Sequence, residues 1–338
     1  MKTKENGVNK MNKIKRLSAL MMLLIFIFSL GACGKTAEAK DDVITRVGSL
    51  KGPTTMGLAN FISECSIDEN APYTFTMETQ ADVLLGEIAQ GNLDIALVPA
   101  NVAAILYKKT EGGVKVININ TLGVLYMVSG DESINDIKDL EGKTIYLTGL
   151  GTTPDLVLRY LLLQNGMDEN SLTLEYKSEA TEVAAMLAEN PEAVGLLPQP
   201  FVTAALLQNE ELSIVMDMTE KWNEKSENGS MMVTGVTIAT TDYIENHPGA
   251  LKAFMDNQKA SVEKAESDVT GTADIIVALG IVEKAPVASM ALPYCNIVFI
   301  TGDEMKNALT GYYGALYEMD PSSVGGEVPD DAFYYLGY

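Results

Sequence analysis

Residues 73–107 read YTFTMETQADVLLGEIAQGNLDIALVPANVAAILY, and the order of patterns inside them decides the fold class. Tyr73–Met77 alternates threonine with aromatic or apolar side chains, the period-two signature of a strand. Ala81–Gln90 places Leu84, Leu85 and Ile88 on one helical face, and Gly91 follows where a helix needs a left-handed residue to stop. Leu93–Val98 is a short apolar run that predicts a buried strand. Pro99 then opens a second helix toward Tyr107. Strand, helix, strand, helix with short links predicts an α/β fold with mostly parallel strands.

The same alternation extends outward. Upstream, Ile44–Gly48 reads as a strand, Ser49–Pro53 as a turn, and a helix continues through Phe61. Downstream, Lys143–Leu147, Leu172–Tyr176 and Ala193–Leu197 read as strands. They alternate with helices over Pro154–Gln164, Glu179–Ala188 and Phe201–Leu207. Leu122–Ser129 and Met231–Ala239 are strand-like but lack a helix of their own, which predicts two crossovers between two lobes. After Ala239 the chain reads as mainly helical, with Leu251, Phe254, Met255 and Val262 on one face. Asp320–Pro329, rich in Ser, Gly and Pro, reads as a surface loop. The expected organisation is a first lobe over 43–125 and 235–338 with a second lobe, 126–234, inserted.

The amino terminus carries a different message. Lys2, Lys4, Lys10, Lys13, Lys15 and Arg16 precede an apolar run from Leu17 to Leu30, too short to span a ~30 Å bilayer core. Small residues Gly31 and Ala32 lead to Cys33, so residues 1–32 read as a secretory signal, with Met1 or Met11 as its start. Cys33 after Leu30-Gly31-Ala32 resembles the bacterial lipobox, which implies lipid attachment at Cys33 and a tether over 33–42. Removing residues 1–32 takes the formal charge from −22 to −27. Such acidity argues against nucleic acid as a partner. Cys65 and Cys295 remain, either bridged or as free thiols.

Four stretches, in this order, carry a family likeness: Val47–Leu58 (VGSLKGPTTMGL), Gly91–Asn101 (GNLDIALVPAN), Ile134–Ile145 (INDIKDLEGKTI) with the Thr148–Asp155 loop, and Thr241–Ala250 (TDYIENHPGA). Together they resemble the nitrate/sulfonate/taurine-type solute-binding proteins of bacterial ABC importers. The resemblance implies the type II periplasmic-binding-protein fold, with two α/β lobes joined by two crossover strands. It also implies an extracytoplasmic, membrane-anchored monomer that delivers a small molecule to an ABC permease and its ATPase, without catalysis. One position departs from the family: Gln199-Pro200 stands where Glu-Pro is common, which puts the role of that acid in doubt here.

Ligands of open α/β sheets bind beyond the carboxyl ends of the strands, near helix amino termini. That rule selects the candidate contacts. On one rim lie Ser49, Lys51, Gly52, Pro53, Thr54 and Thr55, with Thr54 or Thr55 as a helix cap. On the other lie Gly151, Thr152 and Thr153 in a loop lacking the lysine and spacing of a phosphate loop. Gln80, Asn101, Gln199 and Asn296 occupy analogous strand ends, and Tyr126, Phe201 or Tyr294 can stack on an aromatic ligand. Beyond Cys33 only Arg46 and Arg159 supply guanidinium groups, and this scarcity tilts the ligand toward a neutral, zwitterionic or aromatic molecule. His247, the sole histidine, reads as a surface turn residue. It supports neither a nucleophilic triad nor a zinc site, so no metal and no cofactor are expected. An enzyme of the thiamine- or menaquinone-pathway type on the same fold, or a ligand sensor, is the alternative.

Overall fold

The computed structural model describes residues 43–226 and 230–338. Cys33, the signal and the tether lie outside them. The chain opens with β1 (Thr45–Leu50), two helices, α1 (Pro53–Met56) and α2 (Ala59–Ile67), and β2 (Tyr73–Glu78). Next come α3 (Ala81–Ala89), β3 (Ile95–Pro99), α4 (Ala100–Lys109), β4 (Val114–Leu122) and β5 (Leu125–Ser129). A second alternating run follows: β6 (Thr144–Thr148), α5 (Thr153–Gln164), β7 (Thr173–Lys177), α6 (Ala180–Glu189), β8 (Val194–Pro198) and α7 (Phe201–Gln208). β9 (Ser213–Asp217) and α8 (Met218–Lys225) lead back to β10 (Val233–Thr240). The remainder holds α9 (Thr241–Asn246), α10 (Pro248–Ser267), α11 (Val269–Ala278), α12 (Ala285–Ala291), β11 (Ile297–Ile300) and α13 (Gly302–Met319).

Two sheets result, ordered β11-β4-β10-β3-β1-β2 and β7-β6-β8-β5-β9. In the first, β1 lies parallel to β2 and β3, while β10 runs against β3 and β4 and β11 against β4. Four of its six strands therefore share a direction. In the second, β6 is parallel to β7 and β8 while β5 runs against β8 and β9, so four of five agree. The expected α/β architecture, two mostly parallel sheets flanked by helices, is the one found. β10 joins the first sheet although the second sheet's strands precede it, which is what a returning crossover does.

Two local readings differ from the structure. Leu122–Ser129 is not one strand. β4 ends at Leu122 in the first sheet, β5 starts at Leu125 in the second, and Gly123-Val124 turns the chain between them. β4 itself escaped the pattern because its polar members are buried, with Asn118 at 0 % and Asn120 at 3 % exposure. The region after Ala239 is mainly helical, as expected, and β11 adds one short edge strand to it. The α10 face behaves as its spacing predicts: Leu251, Phe254, Met255 and Val262 are all buried, each stabilising by about 1.5–3 kcal/mol.

The buried asparagines of β4 belong to a closed network. Asn118 Nδ2 donates to Gln258 Oε1 (2.7 Å), Gln258 Nε2 to Thr237 Oγ1 (2.9 Å) and Thr237 Oγ1 to Asn118 Oδ1 (2.8 Å). Asn120 Nδ2 donates to the same threonine at 3.1 Å and its Oδ1 accepts from Thr121 Oγ1 at 2.8 Å. The network pins α10 across β4 and β10. At the other end of the sheet, Asp94 receives Arg46 N (2.8 Å) and Arg46 Nε (3.0 Å), which ties β1 to the entry of β3.

Candidate functional site

The two sheets meet at the crossovers, and that seam gathers much of the site read from the sequence. Asn296, held at φ 44°, donates through Nδ2 to Gly123 O and accepts from Leu122 N at 3.0 Å. Gln199 N donates to Val124 O at 2.9 Å. Tyr126 Oη donates to Tyr294 O at 3.0 Å, a direct bond from β5 to the turn before β11. Gly123 is enforced by space: a Cβ there would collide with Thr219 Oγ1 of α8 and Met232 Cε. One short turn is thus clamped from both sides.

The rim loops spend most of their side-chain donors internally. Thr54 Oγ1 donates to Leu50 O at 2.9 Å and Thr55 Oγ1 to Ser49 Oγ at 2.8 Å. Neither threonine caps α1. Gly52 occupies the cap at φ 137°, a conformation open to glycine, and the hydroxyls reach back to the strand end instead. Gly52 and Pro53 are half-buried, and Lys51 and Gln80 are exposed. On the opposite rim Gly151 N donates to Asp155 Oδ2 at 2.8 Å and Thr152 Oγ1 to Gly149 O at 2.7 Å. Gln199, 1 % exposed, accepts from Thr203 Oγ1 at 2.9 Å and from Thr203 N at 3.3 Å. Its amide oxygen therefore braces α7.

Asn101 and Thr153 differ from these. Asn101, in the first turn of α4, is 3 % exposed and its Oδ1 has no hydrogen-bond partner among the described residues. Thr153 begins α5, is 6 % exposed, and faces Tyr312 of α13. Tyr312 Oη points toward Thr153 without closing a hydrogen bond of ordinary geometry, and burial raises the pKa of its phenol. The adjacent Tyr313 Oη donates to Ala100 O at 2.9 Å, beside Asn101. Two consecutive tyrosines of one helix therefore touch the amino-terminal turns of helices from both sheets.

Further buried polar atoms are without partners among the described residues: Trp222 Nε1, Thr219 Oγ1, Ser230 Oγ and Thr234 Oγ1. Close packing connects most of them. The Trp222 ring lies 4.3 Å from Tyr160 and 5.5 Å from Tyr312. A Cβ on Gly311 would sit 2.6 Å from Ser230 Cβ, so Ser230 presses on the turn of α13 next to Tyr312. Leaving a buried donor or acceptor unmade costs about 1–3 kcal/mol, so several in one place need a reason.

Asn101 and Thr153 were among the residues the sequence nominated, whereas Trp222, Thr219, Ser230, Thr234 and Tyr312 were not. A signal existed for Trp222: the single tryptophan of the chain stands in the polar run Thr219-Glu220-Lys221-Trp222-Asn223-Glu224. The tyrosine and hydroxyls carry no such mark.

A groove of about 690 Å³ also opens between α5 and the end of α13, lined by Leu150, Gly151, Asp155, Arg159, Met319 and Asp320. Its polar centre is saturated. Asp155 Oδ1 accepts from Arg159 Nε and Tyr176 Oη, each at 2.6 Å, and Arg159 also reaches Glu169. The seam, not the groove, holds the unmet hydrogen-bonding capacity. Cys65 and Cys295 are free thiols, the latter buried 3.7 Å from Met56 Sδ. Among the described residues no cluster of His, Cys, Asp and Glu is arranged to hold a metal, and no helix is long and apolar enough to cross a membrane.

The chain belongs to the NMT1/THI5-like family, whose model matches residues 86–268. Its fold is that of the periplasmic binding proteins. An ABC transporter from Parabacteroides distasonis superposes with a TM-score of 0.75 at 24 % identity, covering 88 % of this chain and 100 % of that one. The periplasmic aliphatic sulphonate binding protein SsuA of Escherichia coli matches at 0.69 and 14 % identity, over 86 % and 91 % of the two chains. A Candida albicans gene product with the generic periplasmic binding protein fold matches at 0.56 and 14 % identity, over 86 % and 92 %. No curated protein matches the sequence.

Proposed function

We propose that this protein is the extracytoplasmic, lipid-anchored substrate-binding component of an ABC importer, and that it captures a small organic molecule in the seam between its sheets. The observation that carries the reading is the cluster of buried polar side chains left without partners at the crossovers. A binding cleft pre-forms a few such groups and completes them with ligand. Lobe 1 comprises 43–125 and 235–338, lobe 2 comprises 126–234, and they close about Gly123-Val124 and the return to β10. Lys51 and Gln80, exposed on one rim, and Gly151 and Thr152, exposed on the other, approach the ligand during closure. Cys33 carries the lipid, and the closed form docks on the permease as a monomer. Family membership and the fold are in keeping with transport, and the candidate cargo is a sulfonate, a taurine-like compound or a vitamin or pyrimidine precursor.

Trp222, the sole tryptophan, makes the test direct. Ligand titration is expected to change its fluorescence and to raise the melting temperature, with about 2.7 kcal/mol gained at 100-fold excess over Kd. Turnover of the bound molecule would instead support an enzyme on this fold. Failure of native mass spectrometry to find any bound small molecule, together with flat titrations, would end the capture reading.

A further inference from the structure

The groove between α5 and the end of α13 differs from the seam in what it leaves unmet. Its floor is satisfied, because Asp155 accepts from Arg159 Nε, Tyr176 Oη and Gly151 N. No small polar ligand is called for there. Its walls are apolar and open. Positions 155, 156, 159, 162 and 163 of α5 fall on one helical stripe, which sets Leu156, Leu162 and Leu163 along the groove. Leu163 is 59 % exposed, and Leu150, just before α5, is 67 % exposed. Met167 and Met319 lie half-buried beside them. The rim is acidic. Five carboxylates line the groove against one guanidinium, Arg159, which Asp155 and Glu169 already hold. Asp168, Glu318 and Asp320 are exposed and have no basic partner among the described residues. Surface acids alone would be no guide on so acidic a chain; the exposed leucines between them are the guide.

We propose that this groove docks a basic amphipathic helix of a partner protein, which, given the transport reading, is a membrane subunit of the importer. Its apolar side chains seat among Leu150, Leu163, Met167 and Met319, and its Lys or Arg side chains meet Asp168, Glu318 and Asp320. Helix-in-groove recognition rests on such apolar anchors, and complementary charge at the rim steers the encounter. The α5 wall, Thr153–Gln164, is about 18 Å long, which suits a partner helix of about three turns. The formal charge of −22 sets a second copy of the chain, or an anionic lipid surface, against that rim. The two walls also belong to different sheets: α5 packs on β6, and α13 on β4 and β10. Movement of one lobe against the other therefore reshapes the groove, so docking answers to closure.

The experiment uses the full chain, a fluorescent amphipathic peptide with leucine on one face and lysine on the other, and a scrambled peptide of the same composition. Anisotropy is expected to show the amphipathic peptide bound about ten-fold or more tightly than the scrambled one. Leu163→Asp separates docking from mere attraction of opposite charges. It adds a negative charge, so attraction alone gives tighter binding, whereas an apolar seat gives a loss of about ten-fold or more. Glu318→Lys should weaken binding several-fold. Both side chains are exposed, so melting temperature and small-molecule titration should stay unchanged. Silence of both peptides, equal affinity for the two, or tighter binding by Leu163→Asp would overturn the docking seat. A photo-cross-linking residue in place of Leu163 should join a basic segment of a membrane protein in intact cells. Adducts only with a second copy, a soluble protein or lipid would overturn the membrane subunit as occupant. Native mass spectrometry reads small-molecule capture separately, and its failure would leave the peptide result standing.

Discussion

Two buried polar clusters in this molecule look alike in composition and differ in completeness. Asn118, Asn120, Thr121, Thr237 and Gln258 sit inside the first sheet and bond one another within one ring of partners. Asn101, Thr219, Trp222, Ser230 and Tyr312, on segments near the crossovers, leave polar atoms unmet, as does Thr234 of β10. Both combine amide and hydroxyl groups whose polar atoms are shielded from solvent. A completed network rigidifies the fold, whereas an incomplete one lowers stability unless something else completes it. The contrast separates a structural device from a receptive one without reference to any ligand.

The largest expected effect breaks the complete cluster. Gln258→Leu leaves buried Asn118 Nδ2 without its acceptor and takes one donor from Thr237 Oγ1, and should lower unfolding free energy by about 2–4 kcal/mol. Chemical denaturation reads that loss, and ligand affinity should be unchanged once the fold is retained. The incomplete cluster should respond in the opposite way. Thr219→Val and Thr234→Val remove unmet hydroxyls at nearly constant shape, so stability should hold or rise by up to about 1 kcal/mol. Ligand affinity should fall about ten-fold for each hydrogen bond to the ligand that is removed. Equal destabilisation by both sets of substitutions would erase the distinction between the clusters.

A further substitution tests the joint between them. Gly123→Ala forces a Cβ into Thr219 and Met232, and overpacking of that kind costs about 1–3 kcal/mol. Because Gly123 O also receives Asn296 Nδ2, the variant should disturb closure as well as stability. The ligand-induced change in Trp222 fluorescence is expected to shrink in this variant, while Gln258→Leu keeps it.

Much of this was legible in the sequence, and the illegible part has a physical cause. Period-two runs and one-sided helices, such as Tyr73–Met77 and Ala81–Gln90, reveal an α/β fold because burial of one face dictates them. The strand ends follow, so Ser49–Thr55, Asn101 and Thr153 could be placed from order alone. β4 could not be read, because Asn118 and Asn120 face inward and mimic a polar loop. Nor could the fate of each rim hydroxyl. Whether Thr55 caps a helix or bonds Ser49 depends on a local turn, and Gly52 decides it. Trp222, Tyr312 and Ser230 come from three separate segments, and no spacing rule links residues that meet only after both sheets have formed.

The smallest expected effect concerns pH. Neither cluster contains a carboxylate, a histidine or an amine, and the one titrating member is the buried Tyr312. Burial raises the Tyr312 pKa above the ordinary phenol value near 10. A raised folded-state pKa means that the folded protein holds its proton more tightly than the unfolded chain. Its contribution to stability is therefore complete below about pH 10 and declines as pH climbs toward the raised value. Ligand affinity of the seam should be flat from about pH 5 to 9, because no seam group changes charge there. Melting temperature should begin to fall only above about pH 10 on this account, and Tyr312→Phe should flatten part of that alkaline decline. A ligand affinity that instead changes several-fold between about pH 5 and 8 would place a titrating charge in the seam or on its ligand. The incomplete cluster would then no longer be the uncharged site that its side chains describe.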